Sequence, residues 1–215
     1  MRGLMIVAIA VLLFSGAVGA EEGIPRSFSR EFPIETGSDL EVFLKVGEME
    51  VETAPVDKVR VEVTASCRPQ SDAKCSKRLE AIELESVTGE SGTSVSIRGV
   101  SKRYSNMDVD AKFTVPETSA LSVRMYAGEV RVEGAGQDLD VRLKFGDVTV
   151  RQPLEKTRSV LADANIGDAE VFASSGQTDP SRPFLVGSRV FWEDGEGEAD
   201  VAVNLGAGSV TVHLD

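Results

Sequence analysis

The 215-residue sequence has few of the side chains that catalytic and metal sites use most often. It contains one histidine, two cysteines and one tryptophan. A Ser-His-Asp or Cys-His arrangement would have to use His213, which lies at a polar position near the end of the sequence. A tetrahedral zinc site would need more histidine or cysteine ligands than the chain offers. These shortages predict a protein that is not an enzyme and has no catalytic residues, no metal ligands and no cofactor.

Phosphate-binding loops are also not expected. Gly195-x-Gly197 and Gly206-x-Gly208 each lie between two predicted strands. A phosphate loop instead joins a strand to a helix whose N-terminus meets the phosphate. Both glycine pairs are therefore predicted to be turns.

Long hydrophobic runs are absent except for Leu4 to Phe14. This run follows a positive start and precedes the small residues Val18-Gly19-Ala20, the pattern of a signal peptide cut after Ala20. It is shorter than the roughly 20 apolar residues that a membrane span needs. The sequence thus predicts an exported protein, periplasmic or extracellular, with residues 1–20 removed and no stable membrane insertion afterwards.

Positive charge is scarce. The chain has 23 lysines and arginines against 35 aspartates and glutamates, a formal charge of −12, and loss of Arg2 with the signal peptide makes it −13. Such an acidic chain is repelled by phosphate backbones, so nucleic acid is not an expected partner. An envelope protein or an extended glycan is the expected class of partner, with its identity open.

The two cysteines, Cys67 and Cys75, lie in CRPQSDAKC. In an exported chain such a pair usually oxidises, which predicts a structural disulfide. A redox motif or a metal pair is the alternative. The spacing is not C-x-x-C, and no histidine lies near.

A repeated sequence phrase has a glycine near its middle and is clearest at LDVRLKFGDVTVRQP, residues 139–153. From the first to the last, the five glycines of the C-terminal half are 18, 21, 20 and 21 residues apart, and one more copy of the phrase lies further upstream. A period near 20 residues is typical of stacked repeats. We call these positions the corner glycines: Gly47, Gly128, Gly146, Gly167, Gly187 and Gly208.

Apolar residues alternate with polar ones on both sides of every corner glycine except Gly187, including the positions one before it and two after it. Strict alternation indicates strands with one buried face. The pattern predicts an all-β, β-solenoid-like stack of short strands with a coil period of about 20 residues and little helix. The alternative is an antiparallel sandwich in which the glycines form hairpin turns. The unit around Gly187 departs from the pattern, and Arg189 there indicates a bulge.

The predicted organisation is a lead-in at residues 21–38 followed by one domain at 39–215. The part up to about residue 115 is less regular, and 116–215 forms regular coils. Alternation also predicts strands at residues 59–63, 81–84, 95–97 and 107–115, and residues 71–80 are expected to hold a short helix. The last strand is expected at the end of the stack, with its edge either closed by the charges of His213 and Asp215 or paired with a partner strand.

Acidic residues follow several corner glycines. If coils stack in chain order, Glu129, Asp147 and Asp168 form a ladder of neighbouring carboxylates, and a calcium-stabilised structural protein is one alternative function. A polysaccharide-active β-helix enzyme is another, with Asp138, Asp140, Asp163 and Asp168 supplying a carboxylate pair. No position in the sequence distinguishes these acids from ordinary outward residues of strands.

Trp192, in FWEDGEGE, is a possible contact residue. If exposed, it would suit stacking on a sugar or contact with a protein. If packed, it would cover the irregular coil around Gly187. The sequence favours packing.

Residues 108–134, DVDAKFTVPETSALSVRMYAGEVRVEG, resemble the bacterial exported proteins known as putative adhesins, a domain of unknown function built as a β-solenoid. The matching elements are Val115-Pro116, Leu121-x-Val123 and Gly128-x-Val130-x-Val132. The closing residues 191–215 also resemble that family. The resemblance implies a β-solenoid and a non-enzymatic binding surface or scaffold in the cell envelope, and it carries over no catalytic residue.

Overall fold

The computed structural model describes residues 25–35, 37–68, 73–90, 92–100, 106–173, 176–178, 186–193 and 195–215. The predicted signal peptide lies outside these ranges. The prediction of an all-β protein with little helix is confirmed, since the described elements are twelve strands, one α-helix and one short 3-10 helix. The strands are β1 Arg26–Pro33, β2 Leu40–Ala54, β3 Lys58–Cys67, β4 Glu83–Gly89, β5 Gly92–Arg98, β6 Met107–Pro116, β7 Leu121–Glu133, β8 Leu139–Gln152, β9 Thr157–Ala173, β10 Gly176–Thr178, β11 Ser188–Trp192 and β12 Ala199–Leu214; the helices are α1 Ala73–Glu80 and the 3-10 turn Leu154–Lys156.

Five long strands run parallel at the centre of one sheet, in the order β2-β7-β8-β12-β9. Each carries one corner glycine near its middle, and the phrase before and after that glycine pairs in register with its neighbours. Hydrogen bonding continues past the glycine, so each phrase forms one bent strand. The parallel register rules out hairpin turns at these five glycines.

The bend divides the sheet into two arms, which we call the N-terminal arm (before the corner glycines) and the C-terminal arm (after them). At one end of the stack, β5 pairs with the N-terminal arm of β2 and β6 pairs with its C-terminal arm. At the other end, β11 and β10 pair with the corresponding halves of β9. Strands β4, β3 and β1 add antiparallel partners to β5, β6 and β3.

Alternating apolar residues of both arms point into one hydrophobic core. In the N-terminal arm, Val42, Val123, Val141 and Val203 lie in one row and are fully buried. A matching row of valines crosses the C-terminal arm. Each fully buried valine contributes about 1.5–3 kcal/mol, so these rows hold neighbouring strands in register.

Among the five parallel strands, the order in the sheet departs from chain order in one place. Strand β12 lies between β8 and β9 and pairs with both along nearly its whole length. The expectation that the last strand lies at the end of the stack is therefore wrong. The Asp215 backbone is also engaged, because its N–H donates to Gln152 O and its carbonyl accepts from the Leu154 N–H.

The unit around Gly187 is a strand of opposite direction. Strand β11 pairs antiparallel with β9, placing Val190 opposite Ala162 and Arg189 opposite Asp163. Gly187 does not adopt the positive φ of the five central corner glycines. The broken alternation in this unit therefore marks a covering strand, because antiparallel pairing aligns different residues from parallel pairing.

The position just before each corner glycine is not part of the core, contrary to the alternation. Phe145 is 44% exposed and Ile166 is 57% exposed, whereas Leu143 and Val148 are buried. The strand turns outward at the bend, so several consecutive side chains lie on its outer side before the inward pattern resumes. Alternation predicted the arms correctly and failed only at the corner.

Three local features concern the N-terminal region. Residues 26–33, inside the predicted lead-in, form β1 and pair with β3 over eight residues. Cys67 and Cys75 form the predicted disulfide. Helix α1 lies within the segment predicted to be helical and presents Leu79 to the core.

Candidate functional site

The corner glycines of the five parallel strands lie side by side, and the backbone of each packs directly against that of the next. Their φ angles range from 118° to 140°, a region that favours glycine. A Cβ on Gly128 or Gly146 would lie 1.8 Å from the carbonyl oxygen of the preceding glycine in the row. Glycine is thus required here by close backbone approach as well as by φ. The row consists of Gly47, Gly128, Gly146, Gly208 and Gly167.

The register of the parallel strands also organises their outer surface. Residues at the same distance from the corner glycine form rows that cross the strands. Because the repeated phrase places similar residues at the same distance, side chains of similar chemistry become neighbours. The surface is therefore organised in rows rather than around a single pocket.

The row directly after the corner glycines is acidic, with one interruption. Strand β12 places Ser209 between Asp147 and Asp168, so the continuous ladder expected from chain order does not form. Ser209 donates from its backbone N–H to Asp147 Oδ1 at 3.1 Å and from its hydroxyl at 2.5 Å. A hydroxyl next to Asp147 replaces like-charge repulsion with hydrogen bonds. Among the described residues, no group of three or more His, Cys, Asp or Glu side chains has metal-site geometry.

The outer face of the N-terminal arm carries basic and aromatic residues. Four and two positions before the corner glycines, strands β2, β7 and β8 place Lys45, Arg124, Tyr126, Arg142 and Lys144. The exposed ring of Phe145 lies next to them. We call these six residues the basic–aromatic band: Lys45, Arg124, Tyr126, Arg142, Lys144 and Phe145.

Contacts within the band hold its side chains over the sheet. Lys144 Nζ lies 5.3 Å from the ring centroid of Tyr126 and 5.5 Å from that of Phe145. The two rings meet edge to face, with centroids 5.5 Å apart. Arg124 pairs with Glu41 at 2.9 Å, and Arg142 pairs with Asp140 at 3.0 Å.

A cleft of about 620 Å³ lies at the start of the parallel strands. Its acidic lining residues are Asp39, Glu41, Asp138, Asp140 and Asp200. Of the four aspartates considered for catalysis, Asp138 and Asp140 line this cleft. Asp163 pairs with Arg189 further along the N-terminal arm, and Asp168 lies beyond the bend. The structure thus separates the four candidates into three places.

Asp200 is the carboxylate of this cleft with a shifted pKa. A hydrogen bond from Arg158 and a second from the Ser159 hydroxyl lower the pKa of Asp200 below its ordinary value. A general acid for glycoside cleavage needs the opposite shift, because it must hold a proton near neutral pH. Asp200 therefore suits binding or structure better than proton donation.

The remaining residues of interest are packed. Trp192 is 5% exposed and lies in β11 against β9, as the packing interpretation expected. His213 stacks on Phe172 with ring centroids 5.2 Å apart. Neither is available as a broad exposed contact surface.

Sequence reasoning missed the basic–aromatic band as a unit. The local sequence around Arg142, Lys144 and Tyr126 does not mark these residues as one surface. The signal was present in the repeat, because positions at equal distance from a corner glycine become neighbours in a parallel stack. Lys45 and Lys144 share one such position.

Comparisons with known proteins identify the fold. No protein-family model matches the sequence. No curated protein matches it either. Among solved structures, it is similar to a putative cell adhesion protein from Clostridium sporogenes ATCC 15579, with a TM-score of 0.54 and 11% identity, covering 89% of this chain and 100% of that one. It also matches a putative adhesin from Bacteroides fragilis NCTC 9343 with a TM-score of 0.36 and 10% identity, covering 87% and 97% of the two chains. The first similarity shows a shared all-β fold. No described helix is long and apolar enough to span a membrane.

Proposed function

We propose that this chain is an exported, non-enzymatic protein of the bacterial cell envelope that acts as a binding surface or scaffold, in the manner of an adhesin. We further propose that its five parallel strands are coils of a β-solenoid with a period of about 20 residues. The observation that carries the proposal is the in-register glycine row. It makes a rigid bent sheet whose outer rows repeat from strand to strand, and such a surface suits extended contact with a polymer or another protein.

Two further observations favour binding over catalysis. The carboxylates considered for catalysis are dispersed. Asp200, in the cleft of about 620 Å³, has a lowered pKa, which holds it ionised. The polysaccharide-active enzyme remains the second candidate, because Asp138 and Asp140 still share that cleft.

The experiment is crosslinking in cells that express the protein with an epitope tag, followed by mass spectrometry of what is captured. The tag belongs directly after the predicted cleavage site at Ala20, because the Asp215 backbone is hydrogen-bonded and Gly176–Thr178 pairs with β9. A reproducible envelope protein or glycan supports the proposal. Turnover of envelope glycan by the purified protein, lost in Asp138→Asn and Asp140→Asn, would support the enzyme instead.

A further inference from the structure

We infer that the basic–aromatic band binds a linear polysaccharide that carries carboxylate or phosphate groups. The inference rests on the proposed function and names its ligand class. Its first support is local charge. The chain has a net charge of −12, yet the band brings four cationic side chains together on one face. Within the described part of the chain, Lys45 and Lys144 form no ion pair, so their charge is available to an anion.

The second support is the chemistry beside those lysines. Phe145 exposes part of its ring, and an apolar sugar face can pack on such a surface. Arg124 and Arg142 have further guanidinium donors besides those bonded to Glu41 and Asp140. The paired carboxylates can accept hydrogen bonds from hydroxyl groups. Donors and acceptors side by side suit the many hydroxyls of a sugar chain better than a nucleic acid.

The third support is shape. The band occupies about three residues along each strand, or about 10 Å, and its rows continue across five strands, or about 19 Å. These rows continue on β12 with Asn204 and on β9 with Ile166 and Asp163, and Asp163 is paired with Arg189. Acidic rows flank the band on both sides, at Glu41 and Asp140 and at Glu129 and Asp147.

These flanks discriminate between ligand shapes. A flat anionic lipid surface would meet both acidic rows together with the lysines. A single chain lying across the strands would place its anionic groups at the lysines and offer only hydroxyls to Glu41 and Asp140.

The test measures binding of the full mature protein to immobilised polygalacturonate and dextran phosphate, with neutral dextran, phosphatidylglycerol vesicles and an oligothymidylate as competitors. We expect salt-sensitive binding to one of the two anionic polysaccharides, and which one binds identifies the anion. The double variant Lys45→Gln, Lys144→Gln should weaken it about fivefold. Phe145→Ala should weaken it about threefold.

The matched control is Arg131→Gln, Arg151→Gln, which removes two positive charges from the C-terminal arm. Both arginines are exposed and pair with Glu129 and Glu133. This control should change the affinity by less than about twofold. An equal loss in the control, tighter binding to vesicles or oligothymidylate, or no binding to either anionic polysaccharide would overturn the inference. If crosslinking in cells still captures one protein partner with the lysine variant, the scaffold proposal stands while the ligand assignment fails.

Discussion

The carbonyl oxygen of Gly146 lies 1.7 Å from where a Cβ on Gly208 would stand. The two glycines are far apart in the chain and are direct partners on parallel strands. An ordinary contact between these atoms needs about twice that distance. The β8–β12 interface therefore accepts only glycine at this point, and the backbones meet without any side chain between them.

Replacing Gly208 by alanine should destabilise the protein by more than about 3 kcal/mol, because the clash with Gly146 adds to the cost of a positive φ. Urea denaturation measures the difference. Gly37→Ala is the matched control for φ alone, since Gly37 has φ of 77° with nothing near its would-be Cβ. It should cost about 1–2 kcal/mol. Equal losses in the two variants would show that backbone contact at the row is unimportant.

Truncating Leu143 should cost much more stability than truncating Phe145, although both residues occupy inward positions of the alternating sequence pattern. Leu143 is 2% exposed, so Leu143→Ala should cost about 2–5 kcal/mol. Phe145 is on the outer side of the bend, so Phe145→Ala should cost less than about 1 kcal/mol. Thermal melting of both variants tests this. A large loss in Phe145→Ala would place that ring in the core.

Asp200 should stabilise the protein in a pH-dependent way. Its pKa is lowered in the folded state, first by the hydrogen bond from Arg158 and then by that from Ser159. A carboxylate with a lowered pKa contributes stability above its ordinary value of 3.8 and loses that contribution as the pH falls through the folded value. Asp200→Asn should therefore be less stable than the parent at pH 7, with the difference shrinking below pH 3.8.

The size of that effect is limited by solvent, because the Asp200 side chain is 42% exposed and the Arg158 side chain 56%. We expect no more than about 1 kcal/mol at pH 7. A double-mutant cycle with Arg158→Gln separates the pair from other effects. A stability difference that grows on acidification would contradict the assigned direction.

The Cys67–Cys75 disulfide should stabilise the folded state by about 2.5 kcal/mol, because it closes a short loop in the unfolded chain. The variant Cys67→Ala, Cys75→Ala, compared with the oxidised parent by urea denaturation, measures this contribution. Adding a reductant gives the control, since it should lower the stability of the parent and leave that of the variant unchanged. A parent that is indifferent to reductant would argue against a structural role.

Several features followed directly from the sequence. Alternation in the phrases around Gly128 and Gly146 predicted strands and their inward residues, because a pleated strand has a side-chain period of two wherever it lies. The presence of a single cysteine pair, Cys67 and Cys75, in a chain with a predicted signal peptide predicted their bond. The spacing of about 20 residues between corner glycines predicted that the repeated phrases lie next to one another in register. Each of these properties depends on residues close together in the chain.

The order of the strands and the chemistry of the surface were decided by tertiary structure. Near-identical phrases can pair with one another in any order, since their hydrogen bonds and apolar rows are equivalent. The fold inserts β12 between β8 and β9, which puts Ser209 beside Asp147 where chain order would put Asp168. That arrangement separates Asp147 from Asp168, while Glu48, Glu129 and Asp147 remain neighbours, and neither contact can be predicted until the strand partners are known. For the same reason, Lys45 and Lys144 became one surface only when parallel pairing brought distant phrases side by side.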